Sequence, residues 1–207
     1  MTKRMTNRWG IGLLAAAVIG MAGTLPASGA DRPRSSFLKA GMTVSAPQGA
    51  SNICGRYSWA CHNGSGQRVS ASQALAMADQ INREVNRAVR PVSDQAQYGR
   101  VEYWSLPGSR GGDCEDYALE KKRRLMEMGL SGDQLLLTTV LDRKRQPHAV
   151  LVLRTASGDY VLDNLTNQIK TWRATGYTFL RMQDPAQPRQ WRALFAGGLF
   201  NTPTASN

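Results

Sequence analysis

Histidine and cysteine are scarce in this chain, with two of the one and three of the other among 207 residues. Acidic residues are also few: 15 Asp and Glu stand against 26 Lys and Arg, for a formal charge of +11. The basic residues are scattered and are not interleaved with aromatics, which argues against a nucleic-acid surface. Beyond the first 30 residues no run is long and apolar enough to span a bilayer. Internal repeats and low-complexity blocks are absent too, so a single domain with a real core is expected.

The first 30 residues have a different character. Lys3, Arg4 and Arg8 form a basic stretch, Ile11 to Ala22 an apolar one, and Pro26 precedes a small-residue Ser28-Gly29-Ala30 site. This pattern predicts a signal peptide over residues 1–30, cut near Ala30, and hence a periplasmic or secreted protein. An uncleaved N-terminal anchor is the alternative. Cleavage would remove three cations and leave a formal charge of +8. Residues 31–45 then read as an extended mature N-terminus, 46–195 as the domain, and 196–207 as a tail.

In an oxidising compartment close cysteines pair and an odd one stays free. Cys54 and Cys61 are the natural pair, leaving Cys114. Zinc held by these cysteines with His62 is a competing reading, but the spacing matches no common zinc motif.

Two helices are expected. The first follows candidate caps in Ser70-Ala71-Ser72-Gln73. Its apolar face is Leu75, Ala78, Ile81, Val85, Ala88 and Val89, with Asn82, Arg83, Asn86 and Arg87 opposite, and Pro91 ends it. The second begins at Asp113 or Cys114, and Gly129 closes it. Its acids come first and Lys121 to Arg124 later, an order that suits the helix dipole and gives a basic face. Strand patterns follow at 135–141, 148–154, 160–163 and 177–180, with a turn at Ser157-Gly158-Asp159. Helices followed by an antiparallel sheet make an α+β fold.

Gly111-Gly112-Asp113-Cys114-Glu115-Asp116-Tyr117 places the unpaired cysteine behind two glycines at a helix N-terminus. Free N–H groups and the positive end of the dipole favour a thiolate there. Such a nucleophile needs a base and a third group to hold that base. His148 opens a strand, and Asp163 lies at the far end of its hairpin partner, so the two meet without any long-range assumption; Asn164 is an alternative third member. Each also has a bland reading: a buried thiol, a strand-end histidine, a turn aspartate. Asp113, Glu115 and Asp116 would oppose a thiolate unless they point away from the sulfur or a cation neutralises them. Acids at such a junction suit Ca²⁺, although from the residues alone helix capping is the simpler reading.

The Gly112–Tyr117 block with Lys121 and Leu125, then His148-Ala149-Val150-Leu151 and Val161-Leu162-Asp163-Asn164, resemble the bacterial transglutaminase-like cysteine proteinases. Tyr103-Trp104, Pro107 and the early cysteine pair fit the same pattern. The resemblance spans roughly residues 45–180. It implies a papain-like, transglutaminase-type core with Cys114, His148 and Asp163 as a triad, and calcium held through Asp113 and Glu115, with no organic cofactor. It also implies a periplasmic protease acting on a protein substrate such as a surface adhesin, regulated by an inner-membrane receptor that responds to cyclic di-GMP. Trp104 is expected to line the cleft and the Cys114 N–H to serve an oxyanion hole. Acyl transfer to an amine and a non-catalytic binding module on the same fold are the alternative readings.

Overall fold

The computed structural model describes residues 35–64, 66 and 69–200. The expected leader and its cleavage site lie outside them. No helix among the described residues is long and apolar enough to cross a membrane.

Four helices precede every strand but the first: α1 (Ile53–Arg56), α2 (Ala71–Ala88), α3 (Asp94–Tyr98) and α4 (Cys114–Glu127). The strands are β1 (Thr43–Val44), β2 (Leu135–Leu141), β3 (Pro147–Thr155), β4 (Gly158–Leu162), β5 (Lys170–Thr171), β6 (Thr178–Gln183) and β7 (Trp191–Gly197). They form one sheet, ordered β1-β7-β6-β2-β3-β4-β5, with every pairing antiparallel. The α+β arrangement is therefore as expected, with β1, β5 and β7 added to the strands read from the sequence.

The central strands are buried on both faces, which explains their near-continuous apolar runs. Strand alternation divides the core in two. Leu135, Leu137, Leu151 and Leu153 pack beneath α2 and α4, while Leu136, Val150, Val152 and Val161 pack on the opposite face with Trp172 and Phe179. Each fully buried leucine contributes about 2 kcal/mol. Residues 35–38 cross that second face. Ser36 O accepts from Trp172 Nε1 at 3.2 Å and Asp159 N at 3.1 Å, and Leu38 is buried.

Helix α2 starts with a full capping box between Ser70 and Gln73. In α4, Met128 caps the C-terminus, Gly129 follows with φ +98°, and Leu130 N–H reaches back to Leu125 O at 3.0 Å. Two surface expectations are corrected. Lys121 and Lys122 are buried rather than on an exposed basic face, because α4 lies across the sheet and packs against α2. Of that basic run, only Arg123 and Arg124 reach solvent, where they pair with Glu120. Asn82, placed on the polar face of α2, is also buried, because the chain after β4 folds over it.

Cys54 and Cys61 form a disulfide with a Cα–Cα distance of 5.4 Å. Both thiols are consumed, which removes the zinc reading.

Candidate active site

The glycine pair ahead of the cysteine is required by close packing. Gly111 has φ +123°, and a Cβ there would lie 2.0 Å from Arg90 O. Gly112 exchanges backbone hydrogen bonds with the chain that follows α2: its N–H donates to Arg90 O and its carbonyl accepts from Val92 N–H, both at 3.0 Å. A Cβ on Gly112 would meet the Asp116 carboxylate at 2.6 Å. That carboxylate accepts from Ser105 N–H at 2.9 Å and Ser105 Oγ at 3.3 Å, tying the Trp104-Ser105 segment to the first turn of α4.

Cys114 is the first residue of α4 and the one free cysteine among the described residues. Its sulfur accepts the Ala149 N–H at 3.3 Å and donates to Glu115 Oε2 at 3.2 Å. The nucleophile candidate is thereby docked on the residue that follows His148. His148 Nε2 lies 2.9 Å from Asp163 Oδ1, joined across the β3–β4 hairpin. With the carboxylate ionised, Nε2 is the donor, which leaves Nδ1 available to a thiol proton. Cys114, His148, Ala149 and Trp104 line one cavity of about 310 Å³. Trp104 is only 2 % exposed and packs edge-on against Trp191, so it contributes a wall rather than a mobile flap.

Asp163 is held at every acceptor. Oδ1 also receives Leu165 N–H at 3.0 Å, and Oδ2 receives the Tyr177 hydroxyl at 2.6 Å. Its backbone carbonyl accepts from Asn86 Nδ2 at 2.9 Å. Tyr177 also packs edge-on against the His148 ring, with centroids 6.0 Å apart. Burial opposes ionisation of Asp163, but the His148 hydrogen bond and charge, together with Tyr177, outweigh it and hold the carboxyl below its usual range. Asn164, the alternative third member, is not the residue bonded to His148.

Glu115 and Asp116 sit in the first turn of α4, where acids suit the helix dipole. Asp113 makes no side-chain capping bond; its Oδ2 instead accepts Asp94 N–H at 3.0 Å, at the start of α3. For Asp113 the capping reading is therefore corrected: α3 packs close enough to claim its carboxylate. Carboxylate oxygens of Asp94, Asp113 and Glu115 all lie within 4.8 Å of one another. Asp113 Oδ1 and Glu115 Oε1 are buried without a partner. Burial first, and the charge of Asp113 second, push Glu115 up to about 10 and raise Asp94. Glu102 is raised by burial and by the same neighbours. Burial and then Glu115 also raise the Cys114 thiol. Glu115 thus points at the sulfur rather than away from it, and a cation at the cluster would offset the repulsion between an ionised Glu115 and a thiolate. A set of hard oxygens with unpartnered buried lone pairs fits Ca²⁺.

The sequence reading missed Asp94, Glu102, Tyr177 and Asn86. Asp94 follows a capping serine and looks like any first-turn acid. Tyr177 reads as an ordinary strand aromatic, and Asn86 as solvated helix surface. Each becomes a site residue only through contacts far along the chain.

The family model for bacterial transglutaminase-like cysteine proteinases matches residues 40–198. Among solved structures, calcium-bound LapG of Legionella pneumophila is 23% identical, with a TM-score of 0.51, over 64% of this chain and 74% of that one. EGTA-treated LapG from the same organism is 26% identical, with a TM-score of 0.46, over 53% and 62%. Comparison with curated protein sequences returned no match. The LapG likeness is one of fold, whereas the family match runs from the start of the sheet through β7 and takes in all three sequence blocks around Cys114, His148 and Asp163: the chain belongs to the bacterial transglutaminase-like cysteine proteinases.

Proposed function

We propose that this cysteine peptidase hydrolyses peptide bonds of a protein substrate through Cys114, His148 and Asp163. The observation that carries the reading is the 2.9 Å His148–Asp163 bond set beside a free cysteine in one cavity. His148 Nδ1 takes the thiol proton, and the sulfur attacks the substrate carbonyl. The Ala149 N–H and the N-terminus of α4 stabilise the negative sulfur. The Cys114 N–H, which has no intrahelical acceptor at this position, serves the oxyanion. The imidazolium then protonates the leaving amine. Asp163, fixed by Tyr177 and Leu165, keeps the ring in the required tautomer and orientation. Trp104 walls the substrate cleft.

Asp94, Asp113 and Glu115 are the residues that would hold calcium. Bound there, the ion supplies positive charge that relieves the repulsion between these carboxylates and a Cys114 thiolate. The calcium-bound state of LapG supports this reading. The Cys54–Cys61 disulfide suits an exported protein. By family resemblance, the substrate is a surface adhesin and the regulator an inner-membrane receptor responding to cyclic di-GMP.

The test uses the mature chain, residues 31–207, and iodoacetamide, following the Cys114 labelling rate against pH by mass spectrometry. Fast labelling below about pH 7, well under the unperturbed thiol value of about 8.5, is expected, with slower labelling in His148→Ala and in EDTA. A profile centred on the unperturbed value with calcium present would sink the triad.

A further inference from the structure

A second cavity, of about 260 Å³, is lined by Asp163 and its hydrogen-bond partner Tyr177, and by neither His148 nor Cys114. Asp163 and Tyr177 are buried in its wall, while Arg143 and Lys144 from the β2–β3 turn and Lys170 from β5 stand at its more exposed edge. Among the described residues, these three cations form no ion pair. That sets them apart from Arg123, Arg124, Arg154 and Arg192, each of which meets a carboxylate.

Two carboxylates also face the cavity, but both are engaged. Asp142 Oδ1 accepts the N–H groups of Lys144 at 2.7 Å and Gln146 at 2.8 Å, which closes the turn. Asp163 is shared between His148, Leu165 and Tyr177. Three cations thus stand against the charge of Asp142, the one of the two carboxylates that has no cationic partner. The first cavity, by contrast, has charges of both signs on its wall, Glu102, Glu115 and Arg181.

We propose that this second cavity is a subsite for acidic residues of the substrate polypeptide, on the leaving-amine side of the scissile bond. The assignment rests on the peptidase reading. His148 delivers its proton to the departing amine, so the chain beyond that nitrogen passes the imidazole towards Tyr177 and the basic edge. An aspartate or glutamate placed there meets Arg143, Lys144 and Lys170. Exposed ion pairs are individually weak, so the subsite sets preference and encounter rate more than tight binding.

The experiment uses the mature chain carrying Cys114→Ser, which prevents turnover, and two fluorescein-labelled peptides of equal length, one rich in glutamate and one in glutamine. Anisotropy should show tighter binding of the glutamate peptide, weakening with added salt. Lys144→Glu and Lys170→Glu should each weaken it about fivefold, near the upper range for an exposed pair. Arg189→Glu, an exposed change in a different cavity, makes the same charge difference and should have little effect. Equal binding of the two peptides, or equal losses in all three variants, would overturn the subsite. Iodoacetamide labelling of Cys114 in the unsubstituted chain reads the peptidase assignment separately. Slow labelling with selective glutamate binding rejects the peptidase assignment and keeps the cavity's selectivity; fast labelling without that selectivity rejects the subsite alone.

Discussion

At the scale of single residues, Tyr177 shows how much of this site lies outside the recognisable motifs. Its hydroxyl occupies the Asp163 oxygen that His148 does not use, and its ring packs against the imidazole. Burial and the Asp163 hydrogen bond both raise the Tyr177 phenol, so it stays a donor throughout the working pH range. Tyr177→Phe removes one hydrogen bond to a charged acceptor, an interaction of about 2 kcal/mol. With Asp163 less well held, the imidazolium is stabilised less and the thiolate forms less readily. The expected outcome is roughly a tenfold slower Cys114 alkylation near neutral pH, since about 1.4 kcal/mol is a factor of ten. The acid limb of the profile should move to higher pH, and the thermal midpoint should fall by several degrees, as the loss of one such bond implies. A variant that lost stability without any shift of that limb would assign Tyr177 to packing alone.

At the scale of elements, the β3–β4 hairpin and α4 bring the site together, and the loop before α4 fixes its geometry. The hairpin joins His148 to Asp163, and the Ala149 N–H joins the hairpin to Cys114. Asn82 and Asn86 of α2 grip the chain after β4, from Asp163 to Asn167, and so brace Asp163 from behind. Gly111 is the position where this assembly tolerates least. Gly111→Ala combines a positive φ with a contact on the Arg90 carbonyl that has no room to relax. A cost of ~3 kcal/mol or more is expected, read as a lowered urea midpoint, with slower Cys114 labelling in whatever fraction folds. The two long helices, α2 and α4, and the four main strands were legible in the sequence because their apolar periods are local, whereas the one-turn α1 and α3 are too short to show a period. The short β1 and β5 and the more distant β7 were not, because they are defined by pairing with remote partners rather than by their own pattern.

At the scale of the whole molecule, buried charge governs how stability depends on pH. Lys122 is fully enclosed and donates to Gln183 Oε1 at 2.7 Å, and burial pushes it down to about 7. In the unfolded chain it titrates near 10.4. Between about 7 and 10.4 the unfolded state therefore binds more protons than the folded one, and stability rises with pH across that window. Lys122→Met keeps the length and removes the charge, while Gln183 Oε1 retains the Leu137 N–H. The variant should gain stability near neutral pH, and the rise between about pH 7 and 9 should be smaller than in the parent, as measured by urea unfolding. An identical slope in both proteins would show that Lys122 stays protonated throughout. The α+β class, the Cys54–Cys61 pairing and the proposed Cys114, His148 and Asp163 set could be read from local pattern, because each rests on spacing within an element, a short loop or a single hairpin. Only the tertiary structure decided that Asp94 joins Asp113 and Glu115, that Tyr177 and Asn86 hold Asp163, and that Lys121 and Lys122 are buried. Those outcomes depend on which faces meet when α2, α3 and α4 pack over the sheet, and no local period encodes that.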